Sequence, residues 1–213
     1  MKEKQKGIIF LNGCIPGKNV YKHFIKRNDY IVFADGAADL MKKKNLIPDV
    51  ILGDLDSVTN NTLKYFLNRN VIVMKFTDQE TTDFEKSLLH LVEKGINEVI
   101  VFGYISLRPD HTLNNFSILK RYYRKMNIYF IDEDYMTNFI KYKTRFKYKR
   151  NNVISLLPFP YAKGITTKGL QYPLNNEDLT LGIREGTLNY SISDNISISF
   201  IEGDLLLIRK HFF

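Results

Sequence analysis

The chain has 213 residues, 44% hydrophobic and 25% charged, and on folding a chain of this length buries roughly 70% of its surface, enough for one large domain or two small ones. With Gly 12 and Pro 6 it is neither disordered, collagen-like nor of low complexity. Its net charge of +8, from 31 basic and 23 acidic residues, attracts polyanions without choosing among nucleic acid, an anionic membrane and a nucleotide, and no apolar run approaches the ~18 residues of a membrane helix.

The start, Met1 to Lys6, runs straight into a strand-like Gly7-Ile8-Ile9-Phe10-Leu11 with no apolar signal-peptide region, so a cytoplasmic protein is expected. Strands are predicted at Ile8 to Leu11, Tyr30 to Ala34, Val50 to Leu52, Val71 to Phe76, Glu98 to Phe102 and Asn127 to Ile131. Helix-period segments lie between them at Ala37 to Lys44, Asn61 to Asn68, Thr82 to Lys94 and Thr112 to Lys125. This alternation over residues 1–134 predicts an α/β domain with a doubly wound, mostly parallel sheet covered on both faces.

From Tyr135 the pattern changes. Short β-rich pieces at Thr144 to Lys149, Val153 to Leu157, Ile165 to Thr167, Leu179 to Leu181, Ile196 to Ile201 and Leu205 to Arg209 follow one another with turn residues and no helix. Residues 135–213 therefore read as a smaller antiparallel β-sandwich domain, with a hairpin at Glu202-Gly203-Asp204. Within it Lys141, Lys143, Arg145, Lys147 and Lys149 alternate with Tyr142, Thr144, Phe146 and Tyr148, which puts the charges on one solvated strand face and the aromatics toward a core. So small a unit needs the first domain or a second subunit to complete its core.

The breaks after the parallel strands carry the chemistry. They read Asn12-Gly13, Asp35-Gly36, Gly53-Asp54-Leu55-Asp56-Ser57, Thr77 to Asp83, and Gly103 to His111. In an open parallel sheet all of these lie at the carboxyl edge, where ligands bind. Asp35, Asp54, Asp56, Asp78, Glu80, Asp83 and Asp110 thus crowd one rim, and hard oxygen ligands at that density point to Mg²⁺. Neither GxxxxGK[ST] nor GxGxxG occurs, so a phosphate-bearing substrate would be held by metal, backbone N–H groups and Arg108. Local structure offers its own roles: Thr82 with Glu85 makes a capping box, Asp83 suits a helix dipole, and Asp110 suits the cap of the helix from Thr112. Cys14, the single cysteine, reads as a packing residue.

Four segments, Ala34-Asp35-Gly36-Ala37-Ala38, Pro48 to Ser57, Asp78-Gln79-Glu80-Thr81-Thr82-Asp83-Phe84-Glu85-Lys86 and Arg108 to Asn115, followed by Gly169 to Leu174 with Gly186-Thr187-Leu188-Asn189, resemble thiamine pyrophosphokinases in order and spacing. The resemblance implies transfer of a diphosphoryl group from ATP to the hydroxyethyl oxygen of thiamine, with Asp54, Asp56 and Asp83 holding Mg²⁺. It implies a nucleotide and diphosphate site at Asp35, Ser57, Gln79, Thr82, Arg108, Asp110 and His111, with Asp83 or Asp110 accepting the hydroxyl proton. It also implies a homodimer with shared active sites, in which Asn189 and Tyr190 serve the thiamine pocket. Two departures stand out: Ser106-Leu107 where the family usually has two glycines, and Leu188 where a serine usually precedes the asparagine. The competing readings are a pyrophosphokinase for another acceptor, such as a hydroxymethyl pterin, and a nucleic-acid-binding protein that uses the basic strand.

Overall fold

The structure, a computed structural model, describes residues 5–78 and 80–212, so Gln79 lies outside the described residues. The chain divides into two compact units, one running to Glu133 and the other spanning Asp134–Phe212.

In the first unit the strands β1 (Gly7–Phe10), β2 (Tyr30–Ala34), β3 (Val50–Gly53), β4 (Ile72–Lys75), β5 (Glu98–Phe102) and β6 (Asn127–Ile131) stand in the order β4-β3-β2-β1-β5-β6. Every neighbouring pair is parallel. The central strands are unbroken apolar runs, with Ile8, Ile9, Phe10, Val32, Phe33, Ile51 and Leu52 all fully buried, as expected where both sheet faces are covered. Helices α1 (Lys18–Phe24), α2 (Ala37–Lys43), α3 (Asn60–Leu67), α4 (Asp83–Glu93) and α5 (Pro109–Tyr122) complete the unit. None of the helices among the described residues is long and apolar enough to cross a membrane.

Two helices differ from the sequence expectation. Helix α1 was not anticipated: it has seven residues, buries only Val20 and Tyr21 and has no side-chain cap, so it carries neither a full apolar period nor a start signal. Helix α5 begins three residues before Thr112, with Arg108 at its N-cap and Pro109 in its first turn. Proline suits that position because its missing N–H would be unsatisfied there anyway, and Asp110 therefore sits inside the first turn instead of capping it.

Strand order reverses beside β1, because the chain winds outward from β1 to β4 and then crosses to place β5 on the other flank. The breaks after β1 and β5 meet at this switch point, where Leu11 N–H donates to Phe102 O at 2.9 Å and Cys14 N–H to Ile105 O at 2.7 Å. Gly103, at φ +74, lies so close to the opposite backbone that a Cβ would stand 2.3 Å from Leu11 O, which only glycine permits. Cys14 itself is exposed and is not a packing residue, because its backbone, not its side chain, makes the contact.

The second unit is antiparallel throughout, built of β7 (Tyr135–Phe139), β8 (Lys143–Lys147), β9 (Val153–Lys168), β10 (Asn175–Thr180), β11 (Gly186–Tyr190), β12 (Asn195–Ser199) and β13 (Glu202–Lys210). Its axis is β9, a 16-residue strand that unites two segments expected to be separate and pairs with β10, β11, β12 and β13. A core of Ile154, Leu156, Ile165, Ile196, Ile198 and Leu205, among others, is enclosed by these strands. Strands β7 and β11 were not anticipated: Tyr135-Met136-Thr137-Asn138-Phe139 and Gly186-Thr187-Leu188-Asn189-Tyr190 bury Thr137 and Phe139 in the one and Asn189 in the other, and polar residues at buried positions hide the apolar alternation of a strand.

The expected hairpin at Glu202-Gly203-Asp204 is absent. Ser199 pairs with Thr166 and Glu202 with Lys163, so β12 and β13 run end to end along β9 in one direction. The register shifts between Gly203 and Leu205, and Gly203 has φ +93; the glycine marks a bulge, not a reversal. The basic face behaves as expected in β8, where Lys143, Arg145 and Lys147 are exposed and Phe146 packs on the core. Tyr142, by contrast, remains 46% exposed.

Candidate active site

A cleft of about 720 Å³ opens at the carboxyl edge of the parallel sheet. Three successive strand-to-helix breaks deliver one carboxylate each: Asp35 directly after β2, Asp54 directly after β3, and Asp83 as the first residue of α4. Because β2, β3 and β4 are adjacent and parallel, the three breaks fall side by side. One carboxylate oxygen from each of the three lies within 4.8 Å of the others.

The backbone is shaped to permit this. Asp35 and Leu55 have φ of 42° and 62°, left-handed conformations that cost leucine more than aspartate. Gly53 stands at the centre: a Cβ there would lie 3.0 Å from both Asp35 Cβ and Asp83 Oδ1, so the absent side chain leaves room for the carboxylates. Ser57 closes the turn, donating its N–H to Asp35 Oδ2 at 3.2 Å and its hydroxyl to Asp56 Oδ1 at 2.9 Å.

The electrostatics are those of like charges crowded in a partly buried cleft. Asp35 is 6% exposed, and its Oδ1 is buried without a hydrogen-bond partner. Burial raises its proton affinity above the ordinary carboxylate value, and the Asp54 and Asp56 charges add to the rise against the opposing Ser57 and Gly36 hydrogen bonds. Asp83 is raised as well, first by burial and further by Asp54 and Asp35, with Lys86 opposing. Three hard oxygen donors, one of them orphaned, form a group that fits a divalent cation such as Mg²⁺ or Ca²⁺.

Of the seven acidic residues expected at the rim, Asp35, Asp54, Asp56 and Asp83 line the cleft. Asp56 stands outside the group of three mutually close carboxylates. Asp78 instead closes its own turn, accepting from Glu80 N–H at 2.9 Å and Thr81 Oγ1 at 2.7 Å. Asp110 grips Arg108 in a bidentate pair of 3.2 and 2.6 Å at the exposed rim, and this hydrogen-bonded partner lowers its proton affinity. Ser57, Thr82, Arg108 and His111 also line the cleft. Thr82 caps α4, its Oγ1 accepting from Glu85 N–H at 3.3 Å, but the reciprocal half of the capping box is missing. The Glu85 carboxylate is buried and accepts instead from Arg121 and from the Tyr122 hydroxyl on α5, both within 2.8 Å.

Lys86 was passed over by sequence reasoning. It lines the cleft although it is only 6% exposed, and its Nζ lies 3.4 Å from Asp83 Oδ1. The i,i+3 spacing from Asp83 on a helix start was the available signal.

In the second unit Asn189 is buried and already engaged. Its Oδ1 accepts from Tyr172 N–H at 3.0 Å and Tyr190 N–H at 2.8 Å, and its Nδ2 donates to Tyr172 O at 2.7 Å. Tyr190 is 40% exposed, and Leu188, at φ 55°, is 70% exposed.

Residues 21–130 match the family model described as thiamin pyrophosphokinase, catalytic domain, and residues 139–205 match thiamin pyrophosphokinase, vitamin B1 binding domain. Thiamine pyrophosphokinase 1 of Arabidopsis thaliana is 28% identical over 173 residues, a match covering 75% of this chain and 64% of the relative. Thiamine pyrophosphokinase of Bacillus subtilis is 28% identical over 173 residues, covering 78% of this chain and 79% of that protein. The crystal structure of thiamine pyrophosphokinase from Bacillus subtilis shares the fold, with a TM-score of 0.84 at 23% identity over 98% of this chain and 100% of that one.

Proposed function

The chain belongs to the thiamin pyrophosphokinase family, a family of enzymes, and from that premise we propose that it transfers the diphosphoryl group of ATP to the hydroxyethyl oxygen of thiamine, releasing AMP. The observation that carries this reading is the convergence of Asp35, Asp54 and Asp83 in the cleft at the carboxyl edge. These three would hold Mg²⁺, with Asp56 extending the acidic wall beside them. When bound, the ion neutralises charge on the transferring phosphates.

The chain's own residues do the positioning. Thr82, Ser57 and His111 line the nucleotide side, and the Arg108 guanidinium can exchange its Asp110 partner for two phosphate oxygens with the same fork geometry. In the transfer the thiamine oxygen bonds to the β-phosphorus as the bond from that phosphorus to the α–β bridging oxygen breaks, and the hydroxyl proton departs. Of the two carboxylates expected to accept that proton, Asp83 lines the cleft, whereas Asp110 is engaged by Arg108 at the exposed rim, which favours Asp83. The α/β unit acts as the catalytic domain, and the antiparallel unit supplies the thiamine side. A cytoplasmic setting, where ATP is at hand, fits this reaction.

We also infer a homodimer in which Tyr190 of one subunit serves the site of the other. Its support is the set of exposed apolar side chains of the antiparallel unit, including Ile183 at 83%, Leu188 at 70% and Tyr172 at 63% exposure, which a second copy would cover. Mixing Asp54→Asn with Tyr190→Ala subunits under exchange should restore activity through heterodimers with one intact site. Persistent inactivity after verified exchange would refute the shared site.

The reaction itself is tested by incubating the protein with ATP, Mg²⁺ and a panel of acceptors. AMP and thiamine diphosphate should form in equal amounts and only when thiamine is present. AMP formation with a hydroxymethyl pterin alone would transfer the reading to that acceptor, and no AMP with any acceptor would end it.

A further inference from the structure

Lys86 sits in the wall of an acidic cleft, which makes it the feature least explained by folding alone. A lysine is seldom fully buried without a strong partner, yet its ion pair with Asp83 is long at 3.4 Å. Among the described residues lining the cleft, the lysine and arginine side chains are Lys86 and Arg108. They differ in kind. Arg108 is 69% exposed and closed upon Asp110, whereas Lys86 is 6% exposed and projects from α4 beside Asp83, one of the three carboxylates.

A triphosphate chain entering this cleft meets four aspartates. The breaks after the strands offer no glycine-rich phosphate loop, so the full positive charges that the chain itself can offer a phosphate come from side chains. An ammonium has three donors and no acceptor; the one directed at Asp83 leaves two for another anion. Its helix holds it in place, so little side-chain freedom is lost when a ligand binds.

We propose that Lys86 is a phosphate-holding residue, engaging an oxygen of the polyphosphate chain at the deep end of the cleft while Arg108 engages it at the rim. This rests on the nucleotide reading above and adds a specific contact to it. The alternative role, a counter-ion serving only Asp83, makes a different prediction: it leaves phosphate affinity unchanged.

The test is calorimetric titration of the full chain with tripolyphosphate, and separately with AMP, in excess Mg²⁺. Lys86→Met should weaken tripolyphosphate binding at least tenfold and AMP binding less than threefold, and Lys86→Arg should stay within about threefold of wild type for both. A folded Lys86→Met protein that binds tripolyphosphate within twofold of wild type overturns the proposal. If Lys86→Met does not fold, Lys86→Gln is titrated in its place; if neither uncharged variant folds, the lysine is a structural counter-ion and the proposal is likewise overturned. Wild-type production of thiamine diphosphate, measured in parallel, reports on the functional reading independently: its absence sinks that reading, and unchanged tripolyphosphate binding in an active enzyme sinks only the assignment of Lys86.

Discussion

In the α/β unit Asp35 is 6% exposed with one carboxylate oxygen unpaired and two more carboxylates beside it, whereas in the antiparallel unit Asn189, 8% exposed, makes three hydrogen bonds to neighbouring backbone. Both positions were expected to bind ligand, and they are equally buried. The difference lies in valence. The polar capacity of Asn189 is largely realised when the chain folds, so removing it should loosen the fold. The Asp35 group is left electrostatically unfavourable by folding, with an acceptor oxygen still unpaired, as the proposed cation site requires. Burial alone therefore does not separate a binding residue from a structural one; what its polar atoms still lack does.

The largest expected effect tests the acidic side. Asp54→Asn should lower kcat by on the order of 10² or more with the fold intact, since a rim carboxylate stabilises charge more than packing. Asp56→Asn, outside the mutually close trio, should lose less. Steady-state kinetics on both variants, with circular dichroism as the control, checks the order, and an equal or reversed loss would move the centre of the site toward Asp56.

Arg108→Lys should reduce kcat/KM for ATP by roughly tenfold while leaving the KM for thiamine unchanged, because an ammonium cannot reproduce the two-pronged grip now made on Asp110. Unaltered kcat/KM for ATP would remove Arg108 from the phosphate path.

Stability measurements put the comparison itself at risk. Asn189→Ala forfeits three hydrogen bonds at about 1 kcal/mol each and should destabilise the protein by about 2–3 kcal/mol in urea unfolding. Asp35→Asn, in metal-free buffer, should leave stability equal or raise it, since it removes a charge from among its like while an amide oxygen can still accept from Ser57. A destabilised Asp35→Asn protein would show that the carboxylate supports the fold after all.

The smallest effect concerns His90, half-buried on α4 with its Nε2 3.1 Å from the Tyr30 hydroxyl. Burial, aided by Lys94 and opposed by Glu93, lowers its pKa below the ordinary 6.5. Between that lowered value and 6.5 the unfolded chain binds more protons than the folded one, so stability rises with pH across this window and is flat above it. The slope is bounded by ~1.4 kcal/mol per pH unit. Subtracting the stability profile of His90→Asn from that of the wild type isolates this contribution, and a difference that falls with rising pH would contradict it.

Read from the chain alone, β1, β2, β3 and β5 were legible because buried parallel strands are continuous apolar runs, and β4 and β6 as β-rich runs; each of the first five ends at a polar break whose side of the sheet follows from topology. That placed Asp35, Asp54 and Asp83 on one rim. Local sequence also identified Thr82 as a cap, since an N-cap bond spans three residues. What it did not contain were relations between distant segments: that Asp56 stands apart from the trio, that Glu85 turns from its own helix end to Arg121 and Tyr122, and that Glu202-Gly203-Asp204 continues along β9 instead of folding back. The side-chain type and strand pattern are properties of neighbours in sequence, and those the sequence by itself determined. Which carboxylates converge, which lysine is enclosed among them and which asparagine is already satisfied depend on distances between breaks tens of residues apart, and these only the packing of the sheet decided.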